Sequence, residues 1–472
     1  MTTLFSRHVY LRSSVPGIVA VLVAFVVMTV ATVSTATAST EGADPLKAGV
    51  AREIITPKLG GLFLGYGSPR GSTAVHDDLT VTALTLEQGK TRVVLMSVTL
   101  CIIGNDLCAK LRELCGEAAG VPASHVIVAA THTHSGPITA SFDLDVDTEY
   151  IDEILIPKSI AAVKASVQGM KLTTMGVATT NTLVGINRRQ LLPNNRVILG
   201  QNRWGIYDPE MTVISFRGED GKSFANIVHC TAHCTAIGNS PNTEVSRDWA
   251  GTMIDRLDQE TGAITMFFNG MQGDVSPRMA NGRSTGSGMA DAIEVGAMAG
   301  LDAVRAYKDI RVYRNEDVVV ATGQVRLPHA PIMPLEEAKQ ELAKIEAAAP
   351  SRFSTGRKNL LTKVIELHSK GETGESHFVY DQTLVRVGSV VFVPVPFEAF
   401  SEISLRLRDY SKFGHTLALG CTNGGNNYLP SQDQIVRGGY EIDMWMWSAP
   451  RRVAENADVH LINENIKLME GL

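Results

Sequence analysis

The chain has 472 residues, 44% of them hydrophobic and 6% aromatic, with a formal net charge of −6. That is enough apolar material for one large domain or two to three smaller ones. The mildly acidic balance, with no basic stripe to neutralise phosphates, excludes a dedicated nucleic-acid binder.

The N-terminus differs in character from the rest. Arg7 and Arg12 precede an apolar run from Gly17 to Val33, and Ala36 and Ala38 then occupy the small-residue positions of a signal-peptidase site. This pattern predicts a signal peptide over 1–38 and a secreted or periplasmic chain over 39–472. An uncleaved membrane anchor is the minor alternative, because the run reaches the lower limit for a span. All six cysteines lie beyond it, at 101, 108, 115, 230, 234 and 421. Cys108 and Cys115 fall about two turns apart on one face of a helical pattern, too far to pair. The expectation is small buried hydrophobes, not a disulfide framework.

In chain order, strand-like runs at 49–56 and 91–99 are followed by a helix-like run at 105–120, a strand at 125–131 and a helix at 151–167. Strands at 211–218 and 224–232 precede a helix at 248–261, a strand at 263–270 and a helix at 288–307. A strand at 317–327, a helix at 334–349, a strand at 382–395 and a helix at 453–469 complete the pattern. Strands separated by helices predict an α/β fold of mixed β-sheets with flanking helices. The polar residues of interest sit just after strand-like runs, where rigid sheets hold functional loops.

Four stretches carry candidate chemistry. In ATHTHSGP, 130–137, His132 and His134 are two apart after a buried strand. Extended backbone puts both on one side, which suits a metal or a proton-transfer role. In VHCTAHCTA, 228–236, a helix would give two i, i+4 pairs, His229/His233 and Cys230/Cys234. The flanking Phe224, Ile227, Val228, Thr231 and Thr235 favour a strand instead, with His229 and His233 on one face and both cysteines on the other. In GDVSP, 273–277, a tight turn holds Ser276, either a reactive hydroxyl or a turn residue. In GINRR, 185–189, an arginine could stabilise an oxyanion or simply lie at the surface.

Together these stretches resemble the neutral (non-lysosomal) ceramidase family. The resemblance runs through AGVAREIITP and LGYG (48–67), VHDDL (75–79), ATHTHSGP, GINRR, AHCTA, NGMQGDVSP, VPFEAF and GGYE, in preserved order. It implies a ceramidase-like catalytic domain holding one Zn²⁺ per chain through His132, His233, Glu398 and Tyr440. It further implies zinc-activated water cleaving an amide bond of an N-acylated, lipid-like substrate. His134 would help proton transfer, Arg188 would support the oxyanion, and Ser276 would contact substrate. Gly65 and Trp447 would line the substrate site, and peripheral contact with membrane lipid is compatible with such a substrate.

The departures are specific. The family's C-terminal β-domain is not expected within this chain. Arg278 replaces the family's Asn after GDVSP, and Trp445 and Trp447 replace a Tyr-rich stretch. They leave an esterase, a lactonase or another non-ceramide hydrolase on the same scaffold as the alternative. A non-catalytic envelope binding protein is the alternative of another class.

Overall fold

The computed structural model describes residues 44–66, 70–141, 144–238, 242–347 and 352–472; the side chains at 352, 353, 447 and 448 lie outside that set. The expected signal peptide also falls outside the described residues.

Eight strands make the large sheet, in the order Ile264–Asn269, Ser223–Cys230, Glu210–Gly218, Lys171–Asn181, Lys47–Ile54, Thr80–Gln88, Thr91–Val98 and Val126–Ala130. Four more, Val318–Pro328, His377–Val387, Val390–Pro394 and His415–Leu419, form a second sheet. The two sheets pack face to face. Leu84, Leu95, Ile127, Ile214 and Phe268 of the first share a core with Val385, Val390, Phe392 and Leu417 of the second. The Phe268 and Phe392 rings meet edge to face at 6.1 Å across this layer. His229 also bridges it, with Nε2 3.1 Å from the Ala418 carbonyl.

Helices cover both outer faces, giving an αββα stack. The helices Asn105–Ala119 and Ile156–Gln168 cover one half of the large sheet; Asp248–Thr261 and Met289–Asp309 cover the other. Ser401–Tyr410 and Ala457–Met469 cover the second sheet. The helix Asn105–Ala119 shows the logic. Cys108, Leu111, Cys115 and Ala119 recur at three- and four-residue spacing, so one stripe is buried, and Gly120 ends the helix at φ 68. Val126–Ala130 is instead buried throughout, as a strand covered on both faces should be.

The sequence-derived pattern needs three local corrections. The run at 382–395 is a hairpin, turned at Gly388 with φ 56. The strand read as 224–232 stops at Cys230, so His233 lies beyond it. The helix expected at 151–167 opens with a π-turn over Ile151–Leu155. All six cysteines are buried and unpaired.

Parallel pairing sets up the site. Val126–Ala130 runs parallel to Thr91–Val98, Ser223–Cys230 to Ile264–Asn269, and Val390–Pro394 to His415–Leu419. Loops leaving the carboxyl ends of these strands meet at one place.

Candidate metal centre

His132 follows Val126–Ala130 directly. Its backbone is left-handed, φ 73, and its N–H donates to the Leu100 carbonyl. Nδ1 lies 2.8 Å from the Cys101 carbonyl, so that nitrogen carries the hydrogen and the Nε2 lone pair faces inward. Cys101 and Cys421 place their sulfurs 3.9 and 3.6 Å from the same Nδ1. His134 brings its Nε2 to 3.3 Å from His132 Nε2. The two rings therefore converge, although the left-handed residue between strand and turn, rather than extended backbone, brings them together. Gly65, at φ 122, lies against His134; a Cβ there would sit 2.4 Å from the imidazole.

His233 is held by the same device. Its Nδ1 lies 2.9 Å from the Val275 carbonyl, and its own carbonyl accepts from Trp249 Nε1 at 2.9 Å. Asp248, itself at φ 57, accepts from the N–H groups of Ala236 and Ile237 just beyond. Thr133 bridges Cys234, so the two histidine segments run side by side. Asn269 ties both: its Nδ2 donates to the carbonyls of Thr131, at 3.1 Å, and Ala232, at 2.8 Å. These are the residues immediately before each histidine.

Glu398 closes the group. Its Oε2 is 3.0 Å from His233 Nε2 and 3.3 Å from His132 Nε2. Gly273 packs on its backbone, where a Cβ would sit 2.2 Å from the Glu398 carbonyl oxygen. The bridge Glu398–Ala399 pairs in parallel with Tyr428–Leu429, with Glu398 opposite Tyr428. Arg188 donates from Nε to Glu441 at 2.7 Å and from Nη1 to His233 Nε2 at 2.9 Å, leaving Nη2 buried without a partner. Arg189 meets the other oxygen of Glu441 at 2.6 Å. Glu441 is fully buried, so this charge triad pins the loop that carries Tyr440.

The electrostatics favour a cation. Burial alone would raise the Glu398 carboxyl, but His132 and His233 reverse this and hold it well below the usual range. Burial and Arg188 push His233 down to about 4. Burial, then His132 and His233, push His134 well below its ordinary value. His132 goes the other way: Cys421 and Glu398 outweigh burial and draw positive charge to it. His132, His233 and Glu398 thus bring three ligand-type atoms within 4.8 Å of one another, at a point whose surroundings favour positive charge. With both Nδ1 atoms committed to carbonyls, this donor set is one that could hold a metal ion.

The other expected residues sit as follows. Ser276 is buried next to the carbonyl that holds His233, and its Oγ has no partner. Tyr440 is 40% exposed; its ring meets that of Tyr428, which is 6% exposed, at 5.9 Å. Strand register sets Tyr428, which the motif reading did not name, opposite Glu398, and the Tyr440 ring packs against it. The Trp447 side chain lies outside the described residues. Trp445 is 8% exposed and donates from Nε1 to the Tyr428 carbonyl at 3.0 Å. Arg278 also has a structural partner set, donating to the carbonyls of Leu183 and Gly185 at 3.1 and 3.2 Å. Cys230 and Cys234 pack in the core under the helical layer, and Cys234 Sγ donates to the Thr131 carbonyl at 3.2 Å.

No family model matches the chain, and no curated protein matches it. Solved structures do, two of them as follows. A neutral ceramidase from Pseudomonas aeruginosa superposes with a TM-score of 0.69 at 17% identity, covering 91% of this chain and 75% of that one. A ceramidase complexed with C2 gives a TM-score of 0.67 at 16% identity, covering 91% and 76%. At that identity the likeness establishes the fold: this chain has the α/β architecture of the ceramidase structures.

Proposed function

We propose that residues 39–472 are an exported zinc-dependent hydrolase domain that cleaves an amide bond in an N-acylated, ceramide-like substrate. The observation that carries this reading is the convergence of His132 Nε2, His233 Nε2 and Glu398 Oε2 on one point. Tyr428 stands beside this set, with Tyr440 at its outer edge; one of these phenols completes it, and register favours Tyr428. His132, His233 and Glu398 would hold the zinc ion, which when bound would supply Lewis-acid polarisation of a carbonyl and a water of lowered pKa. The chain does the rest. Arg188, kept charged by Tyr428 and Glu441 against the cost of burial, holds its free Nη2 for a developing oxyanion. His134, neutral and with Nδ1 unpartnered, is placed to take and return a proton. The Ser276 hydroxyl is available to a substrate polar group.

Metal analysis of the purified chain tests the centre, and a panel of N-acylsphingosines beside simple esters and N-acyl amino acids tests the substrate. About one zinc per chain is expected, lost together with more than roughly 100-fold of activity in His233→Ala. Cys230→Ala and Cys234→Ala keep the metal, at about 1 kcal/mol of stability each. A metal-free enzyme indifferent to chelators sinks the zinc reading. Turnover of esters with no N-acylsphingosine cleaved sinks the amide reading but leaves the metal centre standing.

A further inference from the structure

Between Asn181 and Tyr207 the chain carries four arginines and no acidic residue, although its net charge is −6. Arg188 and Arg189 are buried against Glu441. Arg196 and Arg203 are exposed. Neither makes an ion pair with any described residue. The same segment exposes Leu183 (63%), Leu191 (53%), Ile198 (36%), Leu199 (40%), Trp204 (96%) and Ile206 (53%). A nearly fully solvated indole amid exposed aliphatic side chains is a costly surface to leave in water.

The fold gathers these groups. Arg189–Leu191 and Val197–Leu199 form an antiparallel hairpin, with Asn195 turning its tip at φ 63. Leu191, Val197, Trp204 and Ile206 line one open cavity of about 230 Å³. Its polar side is Glu402, Asp433 and Arg437, and the last two already pair at 3.4 Å. The hairpin also touches the edge of the metal centre: a Cβ on Gly439, next to Tyr440, would lie 3.0 Å from Val197.

We infer that this hairpin and the Trp204 loop are a contact surface for an anionic lipid bilayer. Trp204 and the aliphatic side chains enter the interfacial layer, while Arg196 and Arg203 meet the negatively charged headgroups. No helix among the described residues is long and apolar enough to cross a membrane. The surface is independent of the reaction, because vesicle binding is read without turnover.

The test is co-sedimentation of the full chain with vesicles of phosphatidylcholine alone and of phosphatidylcholine mixed with phosphatidylglycerol. The chain is expected to pellet with the mixed vesicles, and its tryptophan emission to move to the blue. Trp204→Phe removes that shift while sedimentation persists. Leu191→Glu combined with Trp204→Glu weakens binding by more than about tenfold. Arg196→Gln and Arg203→Gln each reduce the preference for anionic vesicles by about fivefold. All four positions are exposed, and an unchanged circular dichroism spectrum establishes that the variants fold. The inference is overturned if neither vesicle type binds, or if binding survives all these changes. It is equally overturned if the Leu191/Trp204 variant merely turns an oligomer into monomers, which would make the patch a contact between copies of the chain.

Discussion

His132 and His233 reach Glu398 with one tautomer each, fixed by the Cys101 and Val275 carbonyls. The same neighbourhood holds Asp274, which accepts from Asn187 Nδ2 at 3.0 Å and from the Ser401 N–H at 2.8 Å. Burial outweighs these hydrogen bonds and raises its carboxyl from 3.8 to about 7. Between those values the folded protein keeps a proton that the unfolded chain has released. Stability from this group is therefore full below about pH 4 and is lost as pH rises towards 7. Asp274→Asn is expected to flatten that decline, measured by urea denaturation across the same window. Parallel profiles for the two proteins would show that the carboxyl does not titrate there. Which residues were legible follows from where they sit. His132, His233 and Glu398 lie in contiguous motifs at strand ends. Tyr428 was hidden, because its place beside Glu398 comes from a two-residue pairing between loops distant in sequence. Glu441 was hidden as well, since nothing local reveals that an acidic residue will be sealed under two arginines.

At the scale of elements, the centre depends on short irregular pieces held by long regular ones. The 270–273 loop is the clearest case, because Gly273 meets backbone rather than a movable side chain. Gly273→Ala should push the Glu398 bridge away from both histidines. The expected cost is about 2–3 kcal/mol, with weaker metal retention, read by thermal melting and by metal content after dialysis. Unchanged metal content would mean that Glu398 is not held by this contact. Most of the long apolar runs were readable as strands because sheets or helices cover both their faces, but the buried Thr80–Gln88 was not read as one. Neither was Lys171–Asn181, although it pairs along its length with Glu210–Gly218. Its sequence KLTTMGVATTN is rich in threonine and only partly buried, so hydrophobic periodicity gives it little signal. His415–Leu419 was missed for a simpler reason: five residues are too few to show alternation.

For the whole molecule, the mixed-sheet architecture followed from the order of strand and helix patterns, but the face-to-face packing of two sheets did not. That packing depends on which apolar face meets which, and each strand alone is silent on its partner. The candidate metal centre lies where strands of both sheets end, so its occupancy should be felt globally. A ligand bound only by the native state adds about 2.7 kcal/mol at 100 times its Kd. Chelation is expected to lower the melting temperature by a few degrees and added zinc to restore it, with no such response in His132→Ala. A melting temperature indifferent to zinc in the parent protein would separate metal binding from stability. The six buried thiols have a practical consequence. Cys101, Cys108, Cys115, Cys230, Cys234 and Cys421 are all sealed in the core with none joined to another. Titration of the denatured chain with a thiol reagent is therefore expected to count six free groups.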